Sequence, residues 1–263
     1  MKKLLNKSVI GMIHVHALPG TPNYKGNLKS VIDSAIEEAK IYENSGIDAI
    51  MIENMHDVPY LKRNVGPEII SAMTVIANEI KNKIDLPMGI QILAGANKEA
   101  LSVALSTNLE FIRAEGFVFS HIADEGTFDS DAGELLRFRK FIEAENILIF
   151  TDIKKKHSSH SVTSDISIDE TAKAAEFFLS DGLVVTGQST GVEPAAEELQ
   201  RIRNSSKLPV LIGSGITVNN IEKYFNLADS FIIGSHFKIN GSLQNRVEEK
   251  RIEKFIQKIE QLR

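Results

Sequence analysis

The sequence predicts a single (β/α)8 barrel, and three observations carry that expectation. Short apolar, β-branched runs recur eight times, each followed by a longer stretch with helical period. The 263 residues suit one such barrel, which usually takes about 250. No Pro/Ser/Gly-rich tract, low-complexity segment or charge block breaks the rhythm, so one domain over residues 1–263 is expected. A doubly wound sheet is the alternative, and it would need fewer strands or a second domain.

The first strand is expected at Ser8–His14. The helix after it, Leu28–Asn44, places Val31, Ile32, Ala35, Ile36, Ala39 and Tyr42 on one face. Ser45-Gly46 reads as a C-cap ahead of the second strand, Ile47–Glu53. Pro67, followed by Glu68, opens a helix over Pro67–Lys83. Next come a third strand at Pro87–Leu93, a helix at Lys98–Ser106 and a fourth strand at Leu109–Glu115. The acid-rich His121–Asp131 stretch reads as a lid or a helix cap, with Asp129 or Ser130 capping a helix at Asp131–Ala144. Strand five falls at Asn146–Ile153 and its helix at Ile168–Ser180, with Asp181-Gly182 as the cap. Strand six is Gly182–Gly187, and Pro194 is a first-turn proline for the helix Pro194–Asn204. Strand seven, Pro209–Gly215, leads to a helix at Val218–Asn226. Strand eight, Ser230–Ser235, leads to one at Val247–Leu262, whose Ile252, Phe255, Ile256 and Ile259 form a stripe for packing on the barrel. Near-continuous apolarity is what strands buried on both faces should show.

Composition narrows the function. Apolar residues at 43% and charged residues at 25% exclude a disordered chain. A net charge of −5 and a pI near 5.9 argue against a nucleic-acid partner. The lack of cysteine excludes disulfides, thiol catalysis and cysteine-ligated metals, and fits a reducing compartment. Ser8–His14 is too short for a signal h-region, and no apolar run approaches the ~18 residues of a membrane span. A cytoplasmic protein with no membrane partner and no cofactor is expected, and a homo-oligomer is compatible with the chain.

In such barrels the site lies at the C-terminal strand ends and in the loops that follow. The polar residues there are His14, Glu53, Asn54, Gln91, Arg113, Glu115, Asp152, Thr186, Gln188, Ser214 and Ser235. Gly213-Ser214-Gly215 and Gly234-Ser235 end strands seven and eight. Those two strands often hold phosphate, because glycines let amides approach an anion and a helix start adds donors. Glycines that merely make the turns are the competing reading. His14, Glu53 and Asp152 are candidates for proton transfer, with Lys156 and Arg113 stabilising anionic charge. Asn54, Asp57, Glu115, His157, Thr186 and Gln188 are candidate substrate contacts. Of the three lysines in Lys154-Lys155-Lys156, at least one is expected to point inward. His14-Val15-His16, with His157 and His160, raises a metal-dependent hydrolase as an alternative. The set lacks a histidine after strand six and an aspartate after strand eight, so no metal site is expected. Gly215→Asp is expected to weaken phosphate affinity with little effect on folding.

The opening Val9-Ile10-Gly11-Met12-Ile13-His14, followed by Ala17-Leu18-Pro19-Gly20-Thr21-Pro22, resembles the signature of the BtpA/SgcQ family. Gly46-Ile47-Asp48-Ala49 leading to Glu53-Asn54, with Asp57 and Pro59 behind it, is similar to a second block of that family. Lys156-His157-Ser158 and Thr186-Gly187 resemble its later blocks. The resemblance covers nearly the whole chain. It implies a barrel akin to the ribulose-phosphate-binding barrels and an enzyme on small phosphorylated metabolites, since SgcQ-like members sit beside sugar-phosphate genes. It also implies an alternative, a non-enzymatic photosystem I assembly or stability factor, because some members are linked to that role. His16 stands where many members carry another residue.

Overall fold

A computed structural model describes residues 5–187, 189 and 191–263. Eight parallel strands close into a barrel: β1 (Ser8–His14), β2 (Ala49–Glu53), β3 (Met88–Gln91), β4 (Phe111–Ala114), β5 (Leu148–Ile153), β6 (Gly182–Val185), β7 (Val210–Ile212) and β8 (Ser230–Ile233). Each strand neighbours the next in sequence, and β8 closes on β1 with Ser8 opposite Ser230 and Gly11 opposite Ile233.

The strand interior is filled by Ile10, Met12, Ala49, Met51, Phe111, Phe150, Val184, Leu211 and Ile232. The other face of each strand packs on the helical ring: α1 (Leu28–Asn44), α2 (Pro67–Lys81), α3 (Asn97–Ser106), α4 (Ala132–Phe141), α5 (Ile168–Phe177), α6 (Ala196–Ser205), α7 (Ile221–Tyr224) and α8 (Glu249–Leu262). Burial on both faces is why the strands read as unbroken apolar runs rather than alternating ones. Among the described residues, no helix is long and apolar enough to cross a membrane.

Three local expectations need correction. The helix expected at Val218–Asn226 is a single turn, Ile221–Tyr224, because Thr217-Val218-Asn219-Asn220 is spent on a side-chain-stitched turn. There the Thr217 amide donates to Asn220 Oδ1 at 2.8 Å, and Asn220 Nδ2 donates to the Gly215 carbonyl at 2.9 Å. Pro194 precedes helix α6 instead of opening it, and its carbonyl accepts from the Tyr224 hydroxyl at 2.8 Å. The Asp181-Gly182 cap is absent, since α5 ends at Phe177 and Gly182 already starts β6.

His121–Asp131 does form a cover, by a hairpin of two short strands, His121–Ala123 and Gly126–Phe128. Ser158–Ser159, from the loop after β5, adds a third antiparallel strand. The N-cap of α4 is Asp131, not Asp129 or Ser130, and its side chain serves other partners. The Asp131 carboxylate accepts from Asn97 Nδ2 at 2.9 Å and pairs with Arg63 from the loop after β2. The same guanidinium donates to the carbonyls of Gly95 (3.3 Å), Gly116 (3.0 Å) and Asp129, and lies 5.3 Å from the centre of the Phe128 ring. Across the barrel, Lys238 donates to both Glu38 oxygens at 2.6 and 2.8 Å, fixing the segment after β8 to α1.

Candidate functional site

Side chains alternate along a strand, so the residues that fill the barrel fix which residues crown it. Ile10 and Met12 lead to His14, Ala49 and Met51 to Glu53, Phe111 to Arg113 and Glu115, and Phe150 to Asp152. His14 stands opposite Glu53, and Glu53 opposite Gln91, in one row across β1, β2 and β3. Above this layer opens a cavity of about 370 Å³. His14, Glu53, Gln91, Arg113, Glu115, Lys156 and His157 line it, and so do Gly213, Ser214, Gly215, Gly234 and Ser235.

The remaining predicted residues lie elsewhere. Asp152 is absent from the lining of this cavity and holds Arg113 in a bidentate pair, at 2.9 Å to Nε and 2.8 Å to Nη2. Both side chains are buried. Burial disfavours the Arg113 cation, but the Asp152 carboxylate outweighs it and holds the guanidinium charged. Asn54 and Asp57 tie loops together. Asn54 Nδ2 donates to Asp57 Oδ2 at 2.8 Å, while Asn54 Oδ1 accepts from the Leu93 amide at 2.7 Å and Asp57 Oδ1 from the Leu18 amide at 2.8 Å. Thr186 is buried outside the cavity lining. Gln188 lies outside the described residues.

The titrating groups are shifted toward neutrality from both sides. Burial pushes the Glu53 carboxyl up, against the pull of Arg113 and Lys156. Burial lowers the Lys156 ammonium, helped by the Arg113 cation. His14 falls well below its ordinary value, first through burial and then through nearby Lys238, and is held neutral. His14 Nε2 is 3.9 Å from Glu53 Oε2. A raised acid, a lowered amine and a neutral imidazole on one cavity form a set able to exchange protons. The three lysines diverge. Lys154 donates to the Ile166 carbonyl at 2.8 Å, whereas Lys155 and Lys156 face the cavity.

The glycine rim comes from the ends of β7 and β8. Gly215 has φ +74°, and a Cβ there would lie 2.3 Å from the Val192 carbonyl carbon and the Glu193 nitrogen. The expectation that Gly215→Asp spares folding is therefore overturned. At Gly234 a Cβ would come within 2.9 Å of His14 Cε1, so glycine is what lets the imidazole reach the cavity. The amides of Ser235 and His236 start a single 3-10 turn, ahead of its first internal bond from the Phe237 amide to the Gly234 carbonyl. The single-turn α7 has too little aligned backbone for the dipole expected of it.

Of the four histidines considered for a metal, His14 faces Glu53, His16 packs 5.6 Å from His56, and His160 Nε2 contacts the Lys155 carbonyl at 3.0 Å. Among the described residues, no three His, Cys, Asp or Glu are grouped to hold a metal ion. Sequence reasoning missed Glu125, Tyr60 and His236, which also line the cavity, and did not single out Lys155 within the run of three lysines. Strand parity could have promoted Gln91 from a strand-end residue to a cavity residue.

Eight parallel strands, an outer helical ring and a polar cavity at the carboxyl strand ends define a barrel of the TIM type. The chain belongs to the BtpA family, whose model matches residues 5–261. It is 49% identical to the Caenorhabditis elegans protein named "Uncharacterized protein F13E9.13, mitochondrial", over 100% of this chain and 98% of the other. It is 33% identical to the Photosystem I biogenesis protein BtpA of Synechocystis, over 95% of this chain and 86% of that protein. Among solved structures, N-(5'-phosphoribosyl)anthranilate isomerase from Pyrococcus furiosus gives a TM-score of 0.60 at 12% identity, covering 97% of this chain and 100% of that one. At that identity the likeness speaks to fold alone.

Proposed function

We propose that the protein is an enzyme acting on a small phosphorylated metabolite by acid/base catalysis. One observation carries the reading. Glu53, His14 and Lys156 converge on the same cavity as the glycine turns after β7 and β8. The Gly213 amide is spent on the Val185 carbonyl at 2.9 Å, so the amides offered to a phosphate are those of Ser214, Gly215 and Ser235 in the turns after β7 and β8. Glu53 and His14 transfer protons, Lys156 stabilises developing anionic charge, and Asp152 positions Arg113 as a fixed cation at the cavity floor. Isomerisation, aldol-type cleavage and glycosidic-bond chemistry all fit this set. A phosphoribosyl compound appears in the name of a structural neighbour, which supports sugar phosphates as the first compounds to try.

The test is a thermal-shift and calorimetric comparison of sugar phosphates with the same sugars unphosphorylated. A ligand at 100 times its Kd adds about 2.7 kcal/mol of stability. Stabilisation by the phosphorylated partners alone supports the reading; no response to any phosphate removes it. The second reading is an assembly factor without chemistry. The photosystem I biogenesis role in the name of the Synechocystis relative and the exposed Phe141, Phe177 and Leu179 favour it. Under that reading, cavity substitutions leave function intact.

A further inference from the structure

We propose that the β3/β4 side of the cavity reads the hydroxyl groups of a sugar, with Gln91, Glu115 and Glu125 as the residues that set specificity. This rests on the phosphorylated-substrate reading and adds an orientation to it. In the closed order of eight strands, β3 and β4 lie diametrically across from β7 and β8. The β7/β8 side offers glycine turns, and the β3/β4 side offers acceptors. Gln91 Nε2 donates to Glu115 Oε1 at 3.0 Å, which fixes the amide and leaves Gln91 Oε1 as an acceptor. Gln91 is 2% exposed, lines the cavity, and its Oε1 has no hydrogen-bond partner in the protein. Glu115 is equally buried, at 4% exposure. Its Oε2 and the Glu125 Oε2 make no hydrogen bond, although Lys155 Nζ stands 3.2 Å from the first and 3.8 Å from the second.

The charge pattern decides what binds. Two carboxylates share one lysine, and Asp124 adds a further negative charge at the hairpin. Arg113, also from β4, is balanced by its bidentate Asp152 partner, so the acidic excess at this end disfavours a phosphate and directs it to the amides opposite. An ammonium is also disfavoured, because Lys155 already occupies the position between the carboxylates. A hydroxyl both donates and accepts, so it serves the acceptors and meets Lys155 without a like-charge clash. Neighbouring hydroxyls of one sugar reach several of these oxygens together. Buried acceptors discriminate strongly against a ligand that lacks the matching donors.

The experiment is calorimetric titration of the full chain with inorganic phosphate, ribose 5-phosphate, glucose 6-phosphate, n-pentyl phosphate, glucosamine 6-phosphate and the free sugars. At least one sugar phosphate is expected to bind tenfold or more tighter than n-pentyl phosphate. Gln91→Leu and, independently, the isosteric Glu125→Gln are expected to erase that ratio while the affinity for inorganic phosphate stays unchanged. Glu125 lies in the surface hairpin, so this variant keeps the test open if Gln91→Leu fails to fold. Equal affinities in the wild type, or a ratio that survives in Glu125→Gln, overturn the inference and leave the phosphate reading standing. Preference for glucosamine 6-phosphate that Glu125→Gln abolishes overturns it in favour of a cationic ligand. Free sugar binding that needs Gln91, with no binding of any phosphate, sustains the inference and refutes the phosphate reading. Binding of neither refutes both.

Discussion

Gly215 and Gly26 share nearly the same left-handed backbone, with φ +74° and +76°, but not the same surroundings. A Cβ at Gly26 meets nothing within 4 Å, whereas at Gly215 it lands 2.3 Å from the Val192 and Glu193 backbone. Gly26→Ala isolates the cost of a left-handed non-glycine residue, about 1–2 kcal/mol. Gly215→Ala carries the same cost and must also move backbone atoms that belong to another loop. Overpacking of that kind adds about 1–3 kcal/mol, for a total of roughly 2–5 kcal/mol. For a chain of this size each kcal/mol lowers Tm by about 2–4 °C, so Gly215→Ala should melt several degrees below Gly26→Ala. Asparagine tolerates the left-handed region, so Gly26→Asn should sit close to wild type while Gly215→Asn stays damaged. Thermal and urea unfolding give the stabilities, and titration with inorganic phosphate reads the turn itself. Equal losses at the two glycines would refute the steric reasoning. Full phosphate affinity in Gly215→Ala would refute the role assigned to the turn.

Three further outcomes are expected. Glu53→Gln keeps the shape of a buried side chain but removes the proton, so turnover of the substrate should fall by about 10²–10⁴-fold with Tm unchanged or raised; unchanged turnover removes Glu53 from the chemistry. Burial lowers His121 to about 4 from its ordinary 6.5, so the folded state keeps the ring neutral while the unfolded chain protonates below pH 6.5. Stability is then complete above pH 6.5 and lost as pH falls toward 4, by about 1–3 kcal/mol, and His121→Phe, which keeps the stack on Phe128, should flatten the slope in urea melts at several pH values. Breaking the buried Glu38–Lys238 pair from one side should cost about 3–5 kcal/mol, and the double replacement Glu38→Leu with Lys238→Met should cost less than the sum of the singles by at least about 2 kcal/mol. Additive losses would show that the pair is not coupled.

The barrel was legible because its signal repeats. Each strand is buried on both faces, so apolarity alone marks it eight times, and the polar residues that end those runs include His14, Glu53 and Arg113. The residue type did not reveal direction. Asn54 and Asp57 sit where substrate contacts were expected, yet their polar atoms are taken up by each other and by the Leu18 and Leu93 amides. Asp152 likewise spends both oxygens on Arg113. Glu125 and Lys155 reach the cavity through pairing of segments distant in sequence, Ile122 with Ser159 and Ala123 with Ser158, in strands of three and two residues. Strands so short leave no periodicity to read. The helix expected at Val218–Asn226 failed because Asn220 bonds back to the turn, a local competition that propensity does not weigh.

Arg63 gives the mouth of the barrel a mechanical character. One guanidinium from the loop after β2 is bonded to the Gly95 carbonyl after β3 and to the Gly116 and Asp129 carbonyls after β4. None of the three loops can swing away without breaking bonds held in common with the others. They form a single cooperative panel, and their amides should exchange with solvent through one shared opening rather than three. The panel carries the hairpin whose Asp124 and Glu125 line one side of the cavity. The wall that contacts a bound molecule on the β3/β4 side is therefore a fixed reference surface, and a poorly fitting molecule cannot remould it one loop at a time.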